Sequence, residues 1–80
     1  MSSEACEMVG FYLRKIPQEK SKCTNIQTLL ELCDLKKNPE CVLIKKDLDY
    51  CNTNVKRMED ALSECNTKCK LYNQLSGNKN

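Results

Sequence analysis

The residues of this chain best suited to chemistry are its seven cysteines, at positions 6, 23, 33, 41, 51, 65 and 69 of 80. At this density, cysteines are typical of a small scaffold held together by disulfides. The chain has no histidine, so it lacks the usual general base and the usual partner of cysteine in mixed zinc sites. The composition therefore disfavours an ordinary hydrolase, and it implies no bound cofactor.

Four of the cysteines have matched spacing. Nine residues separate Cys23 from Cys33, and nine separate Cys41 from Cys51. In an antiparallel hairpin that turns near residue 37, Cys23 faces Cys51 and Cys33 faces Cys41. Two cysteines ten residues apart on one helix lie roughly 15 Å apart, whereas a disulfide needs Cα atoms within about 7 Å. The crossed pairing would shear the hairpin by the same distance, so the spacing predicts nested pairs; the alternative is reduced cysteines that fill a helical seam as small hydrophobic side chains.

The elements that hold these cysteines are predicted to be helices, because apolar residues recur at steps of three and four. Pro17 suits the first turn of a helix, and Asn38 followed by Pro39 is a typical helix start. We therefore expect an N-terminal helix over about 3–16 and a hairpin of two further helices over about 17–36 and 39–75. The predicted fold is all-α, a disulfide-stapled antiparallel hairpin with an extra N-terminal helix.

The third predicted helix carries the longest pattern in the chain. Its apolar and cysteine residues alternate steps of three and four from Cys41 to Tyr72, which predicts one long helix with a coiled-coil-like face. Gly77 would end this helix, and residues 76–80 are predicted to form a frayed tail.

Three cysteines lie outside the matched set. The stripe that begins at Cys6 would extend the hairpin toward Cys65 and Cys69, so we expect a third bridge from Cys6 to Cys69, with Cys65 as the alternative partner. Because seven is odd, at least one thiol is free or bonded to another chain.

Length, charge and hydropathy limit the remaining possibilities. Eighty residues form one domain, 1–80, with its motif core at 23–51. Thirteen basic and eleven acidic residues are spread along the chain, which disfavours a nucleic-acid partner. No apolar run approaches the roughly 20 residues of a membrane span. The first 16 residues contain Glu4 and Glu7, so we expect neither a signal peptide nor a matrix presequence.

Cys23-x9-Cys33 and Cys41-x9-Cys51, on two helices joined at Asn38–Pro39, resemble the twin C-x9-C proteins, also called coiled-coil-helix-coiled-coil-helix (CHCH) proteins. This resemblance implies import without a cleaved presequence into the mitochondrial intermembrane space and trapping there by a disulfide relay. Family members favour an apolar helical face beside a relay cysteine, and Ile26, Leu29 and Leu30 before Cys33 would supply one.

The resemblance also implies a function. We expect a non-catalytic accessory subunit of a respiratory-chain complex, peripheral to the inner membrane on its intermembrane-space face, with other subunits of that complex as partners. Met8, Phe11 and Tyr12 on the first helix are candidate contacts, and the alternative is that they cover the hairpin core. The alternative is an assembly factor or metallochaperone, with Cys6, Cys65 and Cys69 as the available thiols. A thiol–disulfide enzyme that uses Cys65 and Cys69, and a cytosolic coiled-coil tether with reduced cysteines, are further alternatives.

Overall fold

The chain folds into a two-helix hairpin. A computed structural model describes residues 3–77, with side chains described as far as residue 75. It contains α1 (Glu4–Leu35) and α2 (Cys41–Gly77), which run antiparallel and together form a rod of 63 × 14 × 13 Å. The predicted all-α, coiled-coil-like hairpin is confirmed: residues 3–77 contain no strand.

The expected separate N-terminal helix is wrong, because α1 continues through Pro17 as one helix of 32 residues. A proline inside a helix removes one backbone hydrogen bond and crowds the preceding turn. That cost is confined to the turn that contains Pro17. The buried stripe on α1 keeps its spacing across this turn, because Ile16 before Pro17 and Glu19 and Cys23 after it are all buried. Bridges at Cys6 and Cys23 hold the two halves of α1 against the same partner helix. Packing along the whole of α2 therefore outweighs the local penalty at Pro17.

Residues at both ends of α1 satisfy its backbone. Ser3 caps the start, and its side chain accepts a hydrogen bond from the Cys6 N–H at 3.1 Å. After Leu35, Lys37 adopts a left-handed conformation with φ 54°. The Lys37 N–H donates to the Asp34 carbonyl at 3.1 Å and the Asn38 N–H donates to the Cys33 carbonyl at 3.3 Å, which is the Schellman pattern that ends a helix.

The turn leads directly into α2. The Asn38 side chain accepts a hydrogen bond from the Glu40 N–H at 2.9 Å, the capping role that the sequence predicted. Residues 39 and 40 nevertheless form a turn, and α2 begins at Cys41 instead of Pro39. The helix ends at Gly77, the residue that the sequence analysis expected to end it, and so extends two residues past the predicted range of about 39–75. Residues 76 and 77, predicted to belong to the tail, are helical, and the rest of that predicted tail, residues 78–80, lies outside the described residues.

The core is a single layer of side chains between the helices. Its buried apolar members are Ile16, Cys23, Leu30, Cys33, Leu48, Cys51 and Val55, and each keeps 5–9 % of its surface exposed. The chain as a whole exposes 6311 Å², whereas a compact protein of this mass would expose about 4,900 Å². So thin a core leaves much of the required stability to the covalent cross-links.

Removal of the middle disulfide tests that dependence. Cys23→Ser combined with Cys51→Ser should lower the free energy of unfolding by about 3 kcal/mol, because the bridge closes a long loop and lies in the buried cluster. Cys33→Ser with Cys41→Ser is the matched control and should cost about 1 kcal/mol less, since its loop is shorter. Urea unfolding under non-reducing conditions measures both, and equal costs would contradict this account.

The proline inside α1 gives a second test. Pro17 is exposed, so Pro17→Ala restores a backbone hydrogen bond without disturbing a packed side chain, and it should stabilise the hairpin by about 1–3 kcal/mol. Gln18→Ala, the neighbouring surface position, should change stability by less than about 0.5 kcal/mol. Thermal unfolding provides the measurement, and a destabilised Pro17→Ala variant would show that the proline shapes the packing of α1.

Candidate functional site

Three disulfides join α1 to α2 at three levels of the hairpin. Cys33–Cys41 lies beside the turn, Cys23–Cys51 lies in the buried cluster, and Cys6–Cys69 lies near the open end, with Cα–Cα distances of 5.7, 5.6 and 4.8 Å. These are the pairs that the sequence analysis expected, with Cys69 and not Cys65 as the partner of Cys6. Because every bridge connects one helix to the other, the oxidised helices cannot slide past each other or separate.

The seventh cysteine, Cys65, is free and half-buried. It lies one helical turn before Cys69 on α2 and lines a depression with Glu4, Ala5, Met8 and Lys68. Ala5, the residue before Cys6, therefore lines the same depression as Cys65. A pairing of Cys6 with Cys65 would require the third bridge to move by one turn of α2.

The thiols proposed for metal delivery are not all available in this structure. Cys6 and Cys69 are bonded to each other, so a site made of Cys6, Cys65 and Cys69 would exist only after that bridge was reduced. Within the described residues, no group of three histidine, cysteine or acidic side chains is placed to hold a metal ion.

Sequence reasoning missed one residue of the interhelical seam, Glu19. Its side chain is only 11 % exposed, and its Oε1 lies 3.1 Å from Lys22 Nζ and 3.5 Å from Lys15 Nζ. The hydrogen bond from Lys22 lowers the pKa of this carboxyl, burial opposes that effect, and the Lys15 contact lowers the pKa further. Glu19 continues the steps of three and four between Ile16 and Cys23, and that spacing was the signal that could have found it.

Two open grooves run along the rod, one on each side of the seam. The first is lined by Lys20, Thr24 and Gln27 of α1 and by Asn52, Lys56 and Glu59 of α2. Lys20 Nζ crosses it to Glu59 Oε2 at 3.1 Å. The second groove is lined by Glu19, Lys22 and Ile26 of α1 and by Asp47, Tyr50 and Asn54 of α2. The walls of both grooves are formed by side chains of both helices, so each depends on the stapled register.

The three candidate contacts on α1 do not share one environment. Phe11 is exposed, whereas Met8 and Tyr12 are half-buried against the hairpin. The rings of Phe11 and Tyr12 meet edge to face, with centroids 5.2 Å apart. Phe11 is therefore the member of this set that is free to contact another molecule, and the other two largely cover the seam.

Comparison with known proteins identified no relative of this chain. Scans against protein-family models, curated proteins and solved structures each returned no match. Neither helix has, in its described residues, an apolar stretch long enough to cross a membrane. The geometry by itself defines the class: a disulfide-stapled antiparallel helical hairpin with three interhelical bridges, consistent with a CHCH-like fold.

The buried carboxylate predicts a pH dependence of stability. Because the folded-state pKa of Glu19 is lowered, its ionised form stabilises the hairpin above the ordinary glutamate pKa of about 4.3, and this contribution is lost as the pH falls through the lower folded value. Glu19→Gln should therefore show less acid destabilisation than the wild type in unfolding measured from pH 7 down to pH 2.

Lys22→Gln provides the companion variant. It removes the largest cause of the lowered pKa, so its acid destabilisation should fall between those of the wild type and Glu19→Gln. Identical acid limbs for all three proteins would show that the Glu19 pairing contributes nothing to folding.

Proposed function

We propose that this protein is a non-catalytic accessory subunit of a respiratory-chain complex, held against the intermembrane-space face of that complex. The observation that carries the proposal is the combination of a covalently fixed register with a large exposed surface. Three bridges order the rod before it meets a partner, so docking costs less conformational entropy than docking of a flexible chain. A rigid rod 63 Å long is suited to bracing neighbouring subunits.

The exposed area supports a partner-bound role. The excess of 6311 Å² over the area of a compact protein of this mass is roughly 1,400 Å². One partner contributes about 800 Å² to an interface of standard size. The rod therefore has surface available for at least one such interface.

The proposed address rests on the cysteine pattern. Structural disulfides persist in oxidising compartments and are rare where thiols are kept reduced. With the twin C-x9-C spacing realised as two nested interhelical bridges, entry through the disulfide relay of the intermembrane space is the route we propose. Next to Cys33, Leu29 is exposed while Leu30 is buried, so part of that apolar face is accessible in the folded state.

A second function, in assembly or metal delivery, is favoured by one observation. The free Cys65 lies a single turn from the Cys6–Cys69 bridge, so reduction of that bridge would place three thiols at the open end of the rod. Soft thiolates of this kind suit copper(I). Stoichiometric copper in protein purified from mitochondria with its thiols protected would favour this function over bracing.

Native electrophoresis of mitochondria, followed by a denaturing second dimension, tests the proposed function. We expect the chain to migrate with a complex far larger than its own 9.2 kDa. The intact mass of the unreduced chain should be six hydrogens below that of the reduced chain, two for each bridge. Cys23→Ser with Cys51→Ser should reduce the amount that accumulates in mitochondria. A free pool of the chain, or cytosolic protein that alkylates at all seven cysteines, would contradict the proposal.

A further inference from the structure

Three of the seven cysteines meet near the open end of the hairpin. The Cys6–Cys69 bridge joins the two helices there, with a Cα–Cα distance of 4.8 Å. The free Cys65 lies on α2 one turn before Cys69, and the depression that it lines also contains Ala5, the residue beside Cys6. A free thiol therefore lies next to a disulfide, which is the arrangement that thiol–disulfide exchange requires.

The bridge near the open end is the least covered of the three. The Cys23–Cys51 bridge is buried at both of its cysteines, and the bridge beside the turn is buried at Cys33. Cys6 and Cys69 are both half-buried. Because accessible disulfides exchange more readily than covered ones, the Cys6–Cys69 bridge is the one that a thiol can reach.

Distance along α2 confines Cys65 to this bridge. Cys51 lies 14 residues before Cys65, which is about 21 Å along the helix axis, whereas Cys69 is only about 6 Å away. Two groups held close together on one scaffold react as if each were at a very high concentration. Exchange within the chain is therefore favoured over exchange between chains.

Geometry selects Cys6 as the sulfur that Cys65 attacks. Attack on Cys69 would join two residues four apart on one helix, whose Cβ atoms lie about 5–6 Å apart. The Cβ atoms of a disulfide lie within about 4.5 Å of each other, so that product would distort α2. Attack on Cys6 gives a second bridge between the two helices instead.

The register of the hairpin places this second bridge within reach. If the pairing of the two nested bridges is continued to the open end, residue 68 lies opposite Cys6. Cys69 is then offset from Cys6 by about 1.5 Å along the axis, and Cys65 by about 4.5 Å. The larger offset lies inside the range of roughly 4.4–6.8 Å that the Cα atoms of disulfides span. The smaller offset favours Cys69 as the usual partner.

The packing near the open end leaves Cys6 free to make this adjustment. Cys6 is the third residue of α1, so it lies in the first turn of the helix. Among the residues whose side chains the structure describes, none before Ile16 or after Val55 is buried. A small shift of the first turn toward Cys65 therefore breaks no buried contact.

The surroundings also suit Cys69 as the sulfur that leaves. The Asn73 side-chain amide lies 3.9 Å from Cys69 Sγ and donates a hydrogen bond to it, and such a donor stabilises a released thiolate. The charged side chains that line the depression around Cys65 are Glu4 and Lys68, and Lys68 Nζ lies 3.2 Å from Glu64 Oε1. Charges of both signs surround Cys65, so the exchange depends on proximity and not on a local excess of positive charge.

We propose that the Cys6–Cys69 bridge is an exchangeable site, in which the Cys65 thiolate attacks Cys6 Sγ. The Cys6–Cys69 bond breaks as the Cys6–Cys65 bond forms, and its electron pair leaves with Cys69 Sγ. The Cys69 thiolate takes up the proton that Cys65 lost, so the step needs neither an oxidant nor a reductant, and its reversal restores the first bridge. The chain therefore exists as two bridge isomers with the Cys6–Cys69 form predominant, and the nested bridges hold the hairpin in both. The inference goes beyond the proposed function and does not depend on it, because every reacting group belongs to this chain.

Tryptic mapping separates the two isomers, because cleavage after Lys68 places Cys65 and Cys69 on different peptides. The oxidised full-length chain is held at about pH 8, where cysteine thiolates form, and its free thiol is then blocked with N-ethylmaleimide. Mass spectrometry should find peptide 1–14 linked mainly to peptide 69–70 and, in a smaller fraction, to peptide 58–68. Linkage of peptide 1–14 to peptide 69–70 alone would overturn the proposal.

Two single variants test the reach of Cys65. Cys65→Ser removes the attacking thiol and should lose the linkage of peptide 1–14 to peptide 58–68 completely. Cys69→Ser should form the Cys6–Cys65 bridge during air oxidation, because Cys65 is then the thiol next to Cys6. A Cys69→Ser chain in which Cys6 and Cys65 are both still alkylated after oxidation would show that Cys65 cannot reach Cys6, and the proposal would fail.

A matched control moves the free thiol along the same face of α2. Cys65→Ser combined with Met58→Cys places a thiol seven residues earlier, about 10 Å away, at another half-buried position. This variant should keep peptide 1–14 linked to peptide 69–70 alone. Equal exchange from position 58 would contradict the role of proximity. Unchanged thermal unfolding verifies that each variant, which keeps both nested bridges, also keeps the hairpin.

Dilution distinguishes exchange within the chain from exchange between chains. A tenfold lower protein concentration should leave the rate at which the second linkage appears unchanged, whereas a reaction between two chains would slow about tenfold. A rate that follows concentration would overturn the proposal. The outcome is also separable from the proposed function: a chain that exchanges but migrates only as a free pool in native electrophoresis would contradict the function alone. A single bridge isomer in a chain that enters the large complex would contradict this inference alone.

Discussion

Covalent cross-links between two helices are the constraint on which this structure depends. A single layer of side chains, each still partly exposed, cannot supply the buried area that normally offsets the entropy of ordering a chain. Bridges at the turn, in the middle and near the open end restrict the unfolded chain instead and fix the register of the helices. Because the bridges fix this register, α1 tolerates residues that would otherwise disfavour a helix or its packing.

Two such features lie close together on α1. Pro17 interrupts the backbone hydrogen bonds, and Glu19 places a charge among the seam positions, where an apolar residue would be expected. Both residues lie between Cys6 and Cys23, whose bridges connect this part of α1 to α2. Neither residue can therefore cause this part of α1 to unfold independently of the rest of the hairpin. Lys15 and Lys22 supply the counter-charges that a covered carboxylate requires. The two surface lysines thereby stabilise the fold.

The fixed register also connects the fold to the proposed function. Each groove takes one wall from α1 and the other from α2, so a slip of one turn would separate Lys22 from Tyr50 and Lys20 from Glu59. Oxidation therefore fixes both grooves, because the three bridges hold the side chains of the two helices in one register. A subunit that is oxidised before it docks presents a finished surface, which reduces the ordering that association must still achieve.

The sequence by itself determined the helical class, the hairpin with its turn near Asn38–Pro39, and the two nested bridges. These follow from local rules: period, capping and the reach of a disulfide, all of which act between residues whose spacing can be counted. The tertiary structure decided that α1 continues through Pro17 and that Cys69, not Cys65, is the partner of Cys6. Each of these depends on a neighbour in the other helix, where packing along a shared length outweighs a local preference. Spacing within one helix predicts its seam but does not reveal which of two cysteines one turn apart lies opposite Cys6.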